Sequence, residues 1–327
     1  MNRIVGQYPR AICEAESVLP SLLDWQRKGR RVAVVTIVGI DGASPRPLGA
    51  QMAVADDGGY AGYLSGGCFE RAVVDEALRA MEERKNRLVR YGRNSRYFDI
   101  KLPCGSGLDL YFDQNVPLDL IERAEALLDA RKAVRIDTDL PSGLKGLSFI
   151  AAGDPVECQR ASDTFHSIYM PRIRVVVAGH GAAFLAVTKL FAACGLAVTC
   201  ITHDGDAAMQ VADHGIVVHR SLAEAIASTC SLDAYSAVVL SYHDHEQELP
   251  VLAAALDSPC FYIGALGGRK TSRERCTLLE ARGYDANAIG RIRAPIGLIA
   301  GAKSQLSTAA GILAELVQEA KSKKIVN

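Results

Sequence analysis

The chain has 327 residues, too many for one ordinary hydrophobic core and enough for two. Hydrophobic residues make up 49% and charged residues 23%, a globular balance that excludes extended disorder. Lys+Arg and Asp+Glu each total 37, so the net charge is zero and the basic excess of a non-specific nucleic-acid binder is missing.

From the amino end, the stretch Met1–Leu19 is broken by Arg3, Arg10, Glu14 and Glu16, so it has no apolar signal-peptide core. Cys13 to Lys28 then reads as an amphipathic helix. Arg31–Val38 is a β-branched strand, followed by a turn over Asp41–Pro47, and Gln51–Ala55 is a second strand closed by a hairpin turn at Asp57–Tyr60. Phe69 to Asn86 is a helix with Val73, Val74, Ala77, Leu78 and Met81 on one face. Tyr97–Leu102 and Leu108–Phe112 are short strands. Between Val116 and Met170 the sequence predicts one helix, Leu118–Ala130, and two weaker strands. A domain join is expected around Tyr169–Arg172.

From Arg174 onward strand and helix alternate. The strands are Arg174–Gly179, Leu196–Thr202, Ser236–Ser241 and Cys260–Ile263. The helices are Ala182–Cys194, Leu222–Ala227, Glu248–Leu256 and Ser272–Ala281. That order implies a doubly wound parallel sheet. The expected fold class is therefore α/β, an N-terminal α+β domain over residues 1–170 and a Rossmann-like domain over residues 171–327. The longest apolar runs are strand length, far short of a membrane span, so a cytoplasmic protein with no membrane or nucleic-acid partner is expected.

Four groups of residues could carry chemistry. The turn Gly179-His180-Gly181 leaves a strand and opens a helix, the setting in which glycines admit a phosphate to the helix N-terminus. Phe184 stands where a third small residue would pack, and the acid near the next strand end is Asp204, after Thr202-His203. Both NAD(P) binding at Gly179, Gly181 and Asp204 and a purely packing turn fit this pattern.

Nine cysteines, none in Cys-x-x-Cys spacing, argue against a disulfide framework or a structural zinc site, and most should be buried small hydrophobes. Two lie among glycines. Ser65-Gly66-Gly67-Cys68-Phe69-Glu70 places a thiol just before a helix, where the positive end of the helix favours thiolate, and Glu70 sits in the first turn. Pro103-Cys104-Gly105-Ser106-Gly107 repeats that chemistry, and a soft thiolate suits molybdenum. Ser44-Pro45-Arg46 is either a surface turn or an arginine fork for a phosphate or carboxylate. His243-Asp244-His245-Glu246 is either a metal loop without a third ligand or a polar loop at the sheet edge.

In order along the chain, Gly42-Ala43-Ser44-Pro45-Arg46-Pro47-Leu48-Gly49-Ala50-Gln51-Met52, Ser65–Glu70, Pro103-Cys104-Gly105, Tyr262–Lys270, Ala294-Pro295-Ile296-Gly297-Leu298 and Ile312-Leu313-Ala314-Glu315 resemble the signature segments of the XdhC/CoxI family. The likeness covers both domains and is weak in the middle. The chain departs from the family pattern at Thr202-His203-Asp204 and over Ile299–Leu306.

The resemblance implies an accessory chaperone rather than an enzyme. Such a protein binds molybdenum cofactor, as molybdopterin or its dinucleotide form, and shields it while a cysteine desulfurase exchanges an oxo ligand for sulfur. It then delivers the cofactor to the catalytic subunit of a xanthine dehydrogenase-type hydroxylase. Family likeness also implies a homodimer. Cys104, with Gly105, is the first choice for holding the cofactor and contacting molybdenum. Cys68, with Gly66, Gly67 and Glu70, is the second, and Arg46 is a further binding residue. The alternatives are an NAD(P)-dependent oxidoreductase, motivated by the Gly179–Gly181 turn, and a protein-binding scaffold.

Overall fold

The computed structural model describes residues 17–65, 69–95, 106–151, 154–220, 232–242 and 244–326. The chain forms two compact units that part between Met170 and Pro171.

The first unit is built on strand β1 (Val32–Asp41), whose residues Val32 to Val38 are all buried. An uninterrupted apolar run cannot leave one face to water, so both faces of this strand must be covered. β1 lies centrally in a five-stranded antiparallel sheet of order β3-β2-β1-β5-β4, with β2 Gln51–Ala55, β3 Tyr60–Gly62, β4 Arg87–Gly92 and β5 Gly107–Asp113. One face carries helix α2 (Glu70–Glu83), packed through Val73, Val74, Ala77 and Met81 against Ala33, Val35 and Ile37. On the other face Val34 joins helices α1 (Leu19–Arg27) and α3 (Leu118–Asp129) in one core, with Leu19, Leu22, Leu120 and Ile121.

A second antiparallel sheet also belongs to this unit. Its order is β7-β6-β9-β8, with β6 Val134–Asp139, β7 Lys145–Phe149, β8 Gln159–Ala161 and β9 Thr164–Tyr169. The sequence predicts only two strands here. These strands are short, and β7 and β8 bury none of their residues, so they lack an apolar signal.

Helix α2 also ends earlier than its pattern predicts. Arg84 turns left-handed at φ 52°, and the following Arg87–Gly92 is a strand rather than a helix tail. The predicted strand Tyr97–Leu102 lies outside the described residues.

The second unit is a six-stranded sheet, parallel throughout, of order β12-β11-β10-β13-β14-β15. Its strands are β10 Arg174–Gly179, β11 Ala197–Ile201, β12 Val217–His219, β13 Ser236–Ser241, β14 Tyr262–Ala265 and β15 Ile292–Arg293. Alternate residues of β10 point to opposite faces. Val175 and Val177 share a core with helix α4 (Gly181–Ala193) and the last helix. Val176 and Ala178 share another with helix α6 (His245–Leu256) and helix α7 (Arg269–Glu280).

Helix α5 (Gly205–Ala212) and β12 are additions to the predicted order, and the predicted helix Leu222–Ala227 lies outside the described residues. A short helix α8 (Ala286–Ile289) and the long α9 (Gln305–Ser322) complete the unit. Among the described residues no helix is long and apolar enough to cross a membrane.

Phe184, which the sequence places where a dinucleotide turn keeps a small residue, is fully buried in the core shared by α4, β10 and α9. Phe184→Ala should cost about 3–5 kcal/mol of stability through lost burial and the cavity left behind. The check is faster hydrogen exchange of the β10 and α4 amides, with little change in the β1 amides.

Candidate functional site

In the first unit, three segments singled out by sequence meet at the carboxyl end of β1. Asp41 pairs with Gly107 across the sheet, and a Cβ on Gly42 would stand 3.4 Å from the Ser106 side chain. The Gly42 turn therefore lies beside the residues that directly follow Gly105. Arg90 fastens this corner, a role with no sequence signal of its own: its guanidinium reaches Asp41 at 2.8 Å and Asp109 at 3.1 Å, and its Nε donates to the Arg93 carbonyl.

Further along that turn, the Ser44 hydroxyl donates to the Arg46 carbonyl at 2.7 Å and accepts from the Arg46 N–H, fixing the bend. The Arg46 guanidinium lies over the ring of Tyr63, 4.4 Å from its centre, and Nη1 donates to the Tyr63 hydroxyl at 3.1 Å. Arg46 Nε is buried and has no hydrogen-bond partner among the described residues. Nothing in the sequence marks Tyr63 for this contact except its place just before Leu64-Ser65.

Glu70 sits at the head of α2 and is 5% exposed. Its carboxylate accepts from the backbone N–H groups of Leu64, Ser65 and Phe69 and from the Ser65 hydroxyl, at 2.8 to 3.3 Å. It thus clasps both ends of the segment that contains Gly66, Gly67 and Cys68. Burial pushes its carboxyl up, but the hydrogen bonds from Ser65 and Leu64 outweigh that and leave it below the usual glutamate range. Gly66, Gly67, Cys68, Cys104 and Gly105 themselves lie outside the described residues.

In the second unit, the carboxyl ends of the parallel strands form the other candidate region, at the switch point between β10 and β13. Gly179 has φ +142°, and a Cβ there would collide with the Ser241 carbonyl, so the close approach of the two strand ends requires glycine. Gly181, at φ +82°, opens α4 with no atom within 4 Å of where a Cβ would be. The His180 ring packs edge-on against His203 (5.4 Å between centres) and Tyr242 (6.3 Å). Burial and nearby Glu248 push the Tyr242 hydroxyl up to about 12, so it is a neutral hydrogen-bonding group.

Asp204, predicted to bind a cofactor, caps helix α5. One carboxylate oxygen accepts from the N–H groups of Asp206 and Ala207. Of the His243–Glu246 loop, His243 lies outside the described residues, Asp244 caps α6, and His245 Nδ1 is 2.9 Å from Glu248. Glu248 in turn forms a fully buried pair with Arg275, at 2.8 Å, and Arg275 also donates to the Leu266 carbonyl. This chain of contacts accounts for His245 without a metal. No group of three or more His, Cys, Asp or Glu side chains among the described residues could hold one.

Comparison with known proteins agrees with this two-part layout. Residues 25–92 match the model of the XdhC and CoxI family, and residues 175–316 match that of the XdhC Rossmann domain. The molybdenum cofactor insertion chaperone PaoD of Escherichia coli is 34% identical over 88% of this chain and 83% of its own length. The chain belongs to the XdhC/CoxI family.

YqeB of Escherichia coli, an uncharacterized protein, is 25% identical over 88% of this chain, which spans only 43% of it. A Bacillus halodurans crystal structure described as a xanthine dehydrogenase superposes with a TM-score of 0.76. It is 22% identical, with 94% of this chain and 96% of that one covered, and it shares the fold.

The clasp at Glu70 gives a pH-dependent prediction. A carboxyl held below its ordinary value, 4.5, contributes stability that is present above that pH and is lost as pH falls through the lower folded-state value. Glu70→Gln should therefore cost roughly 1.5–3 kcal/mol at pH 7, the worth of hydrogen bonds to a charged group. The gap between variant and wild type should close on acidification below the usual glutamate range. Denaturant midpoints measured in steps from pH 7 down to about pH 2 check both the sign and the window.

Proposed function

We propose that this chain is a chaperone for molybdenum cofactor, which it carries as cargo and does not turn over. The observation that carries the reading is the 34% identity to PaoD, which extends over 88% of the chain and so includes both units. In this reading the protein shields the cofactor while a cysteine desulfurase exchanges an oxo ligand for sulfur. It then passes the cofactor to the catalytic subunit of a xanthine dehydrogenase-type hydroxylase, acting as a cytoplasmic homodimer.

The chemistry of the first unit fits such a cargo. A metal dithiolene favours soft thiolate donors, and the sequence places Cys68 and Cys104 in glycine-flanked loops. One of these loops is clasped by Glu70, and the segment following the other lies beside the Gly42 turn. Cys104 is assigned the contact with the cofactor and Cys68 a supporting one.

The glycine turn of the second unit is assigned to the nucleotide of a dinucleotide cofactor form. The open start of α4 at Gly181 supports this, because phosphate oxygens gain from free helix N–H groups. Asp204 already caps a helix, which leaves it less suited to the ribose contact that an NAD(P)-dependent oxidoreductase needs.

The test is the molybdenum and pterin content of the protein purified anaerobically from cells that make the cofactor, with a nicotinamide-nucleotide titration alongside. Near-stoichiometric molybdenum and pterin are expected, together with no saturable nicotinamide binding. The opposite pair of results would make the chain an oxidoreductase. Cys104→Ala should lose the bound molybdenum while its circular dichroism stays that of wild type. An unchanged molybdenum content would remove Cys104 from the site.

A further inference from the structure

We propose that Arg46 and Tyr63 form a receptor for a phosphate monoester, and that this receptor takes the phosphate end of the pterin cargo. The second half of that statement rests on the chaperone reading; the first half does not.

Several other half-buried arginines of this unit are closed on carboxylates. Arg30 is paired with Asp56 and Asp57, Arg87 with Glu76 and Glu83, and Arg90 with Asp41 and Asp109. In each, a carboxylate cancels the charge. Arg46 is also half-buried, yet no carboxylate among the described residues lies within ion-pairing distance of it. A neutral ring holds it instead.

The carboxylate nearest in sequence to Tyr63 is Glu70, and it is engaged by the backbone of residues 64, 65 and 69. Among the described residues no carboxylate compensates the positive charge of Arg46. Its Nε is shielded from water with no acceptor among the described residues, a condition that a merely solvated surface arginine does not have.

The free donors specify the ligand. Nη1 is committed to the Tyr63 hydroxyl, and because that oxygen accepts, its own proton remains available. Nε–H, Nη2–H and the Tyr63 O–H are thus three donors, without an acceptor among the described residues, on one pair of side chains. The stacked ring restricts the guanidinium in orientation, so less freedom is lost when an anion binds. A phosphate monoester offers three terminal oxygens and up to two negative charges, whereas a carboxylate offers two oxygens and one charge. Tyr63 directly precedes Leu64-Ser65, whose backbone N–H groups donate to Glu70 at the head of α2.

The experiment uses the full chain prepared from cells unable to make the cofactor, titrated with inorganic phosphate and with a pterin phosphate monoester. The controls are the same pterin without phosphate, and the variants Arg46→Ala, Arg46→Lys and Tyr63→Phe. Saturable binding of both phosphate ligands is expected, with the unphosphorylated pterin weaker. A loss of roughly tenfold or more is expected in Arg46→Ala, with a smaller loss in Tyr63→Phe. Arg46→Lys should fail to restore affinity, because an ammonium keeps the charge but has no fork.

Equal phosphate affinity in wild type, Arg46→Lys and Tyr63→Phe would overturn the proposal, and those two variants carry the test if Arg46→Ala does not fold. Molybdenum content of protein from cofactor-making cells separates the two readings. Arg46-dependent phosphate binding in a protein that never carries molybdenum would leave the receptor standing and remove the chaperone. Molybdenum and phosphate binding both undiminished in Arg46→Ala would do the reverse.

Discussion

Strand β1 is buried on both faces, and the first unit's candidate site depends on that constraint. With α2 packed against one face and α1 and α3 against the other, the strand cannot shift register without exposing valines to water. Its carboxyl end is therefore a fixed point. The Gly42–Arg46 turn leaves from it, β5 brings Ser106 and Gly107 to it, and β2 and β3 return the chain to Tyr63 close by. Segments separated by some sixty residues in sequence are neighbours because one apolar strand had to be central. A polar β1 would permit slippage, and the loops at its end would lose their common frame.

The second unit applies the same logic with a parallel sheet. Here the constraint is the closeness of β10 and β13 at the switch point, which leaves no room for a side chain at Gly179. Two loops at the same sheet edge are then fixed by a buried charge pair. Arg275 reaches from α7 to Glu248 on α6 and to the Leu266 carbonyl at the end of β14, while Glu248 holds His245. A buried pair of this kind adds little net stability, but removing one partner leaves a charge stranded in the core. Its effect is to make the relative positions of these loops an all-or-none property of the folded unit.

Legibility in the sequence followed the strength of each apolar pattern. Strands with continuous β-branched runs, such as β1 and β10, and helices with a clean apolar face, such as α2 and α3, were readable to within a few residues. β4 is not, because Arg87 and Arg90 give Arg87–Gly92 a polar look whose reason is the acids they meet, Glu76 and Glu83 on α2 for Arg87 and Asp41 and Asp109 on the sheet for Arg90. The four-stranded sheet of Val134–Tyr169 was half missed, since its edge strands bury no side chain. Helix α5 has a readable signal, since Asp204 before Gly205 is an N-cap pattern, but an acid just past a strand is also where a ribose-binding residue stands. The contacts of Arg46 with Tyr63 and of Glu70 with the 64–69 backbone join residues whose relation is set by tertiary folding.

The cysteines show how environment sorts residues that look alike in sequence. Burial pushes the thiols of Cys158, Cys200 and Cys260 up, Cys200 to about 11, with the Thr188 hydroxyl beside Cys200 only partly offsetting it. At neutral pH these three are protonated, weakly nucleophilic space-fillers and poor metal donors. A soft metal centre therefore has no use for them, whatever their number. Any thiolate that serves such a centre must sit where backbone N–H groups or positive charge can support it, and glycine-flanked turns at strand and helix ends provide that setting. The same reasoning separates the arginines. Those closed on carboxylates have become part of the scaffold, whereas Arg46 is held by a neutral ring and meets no carboxylate among the described residues.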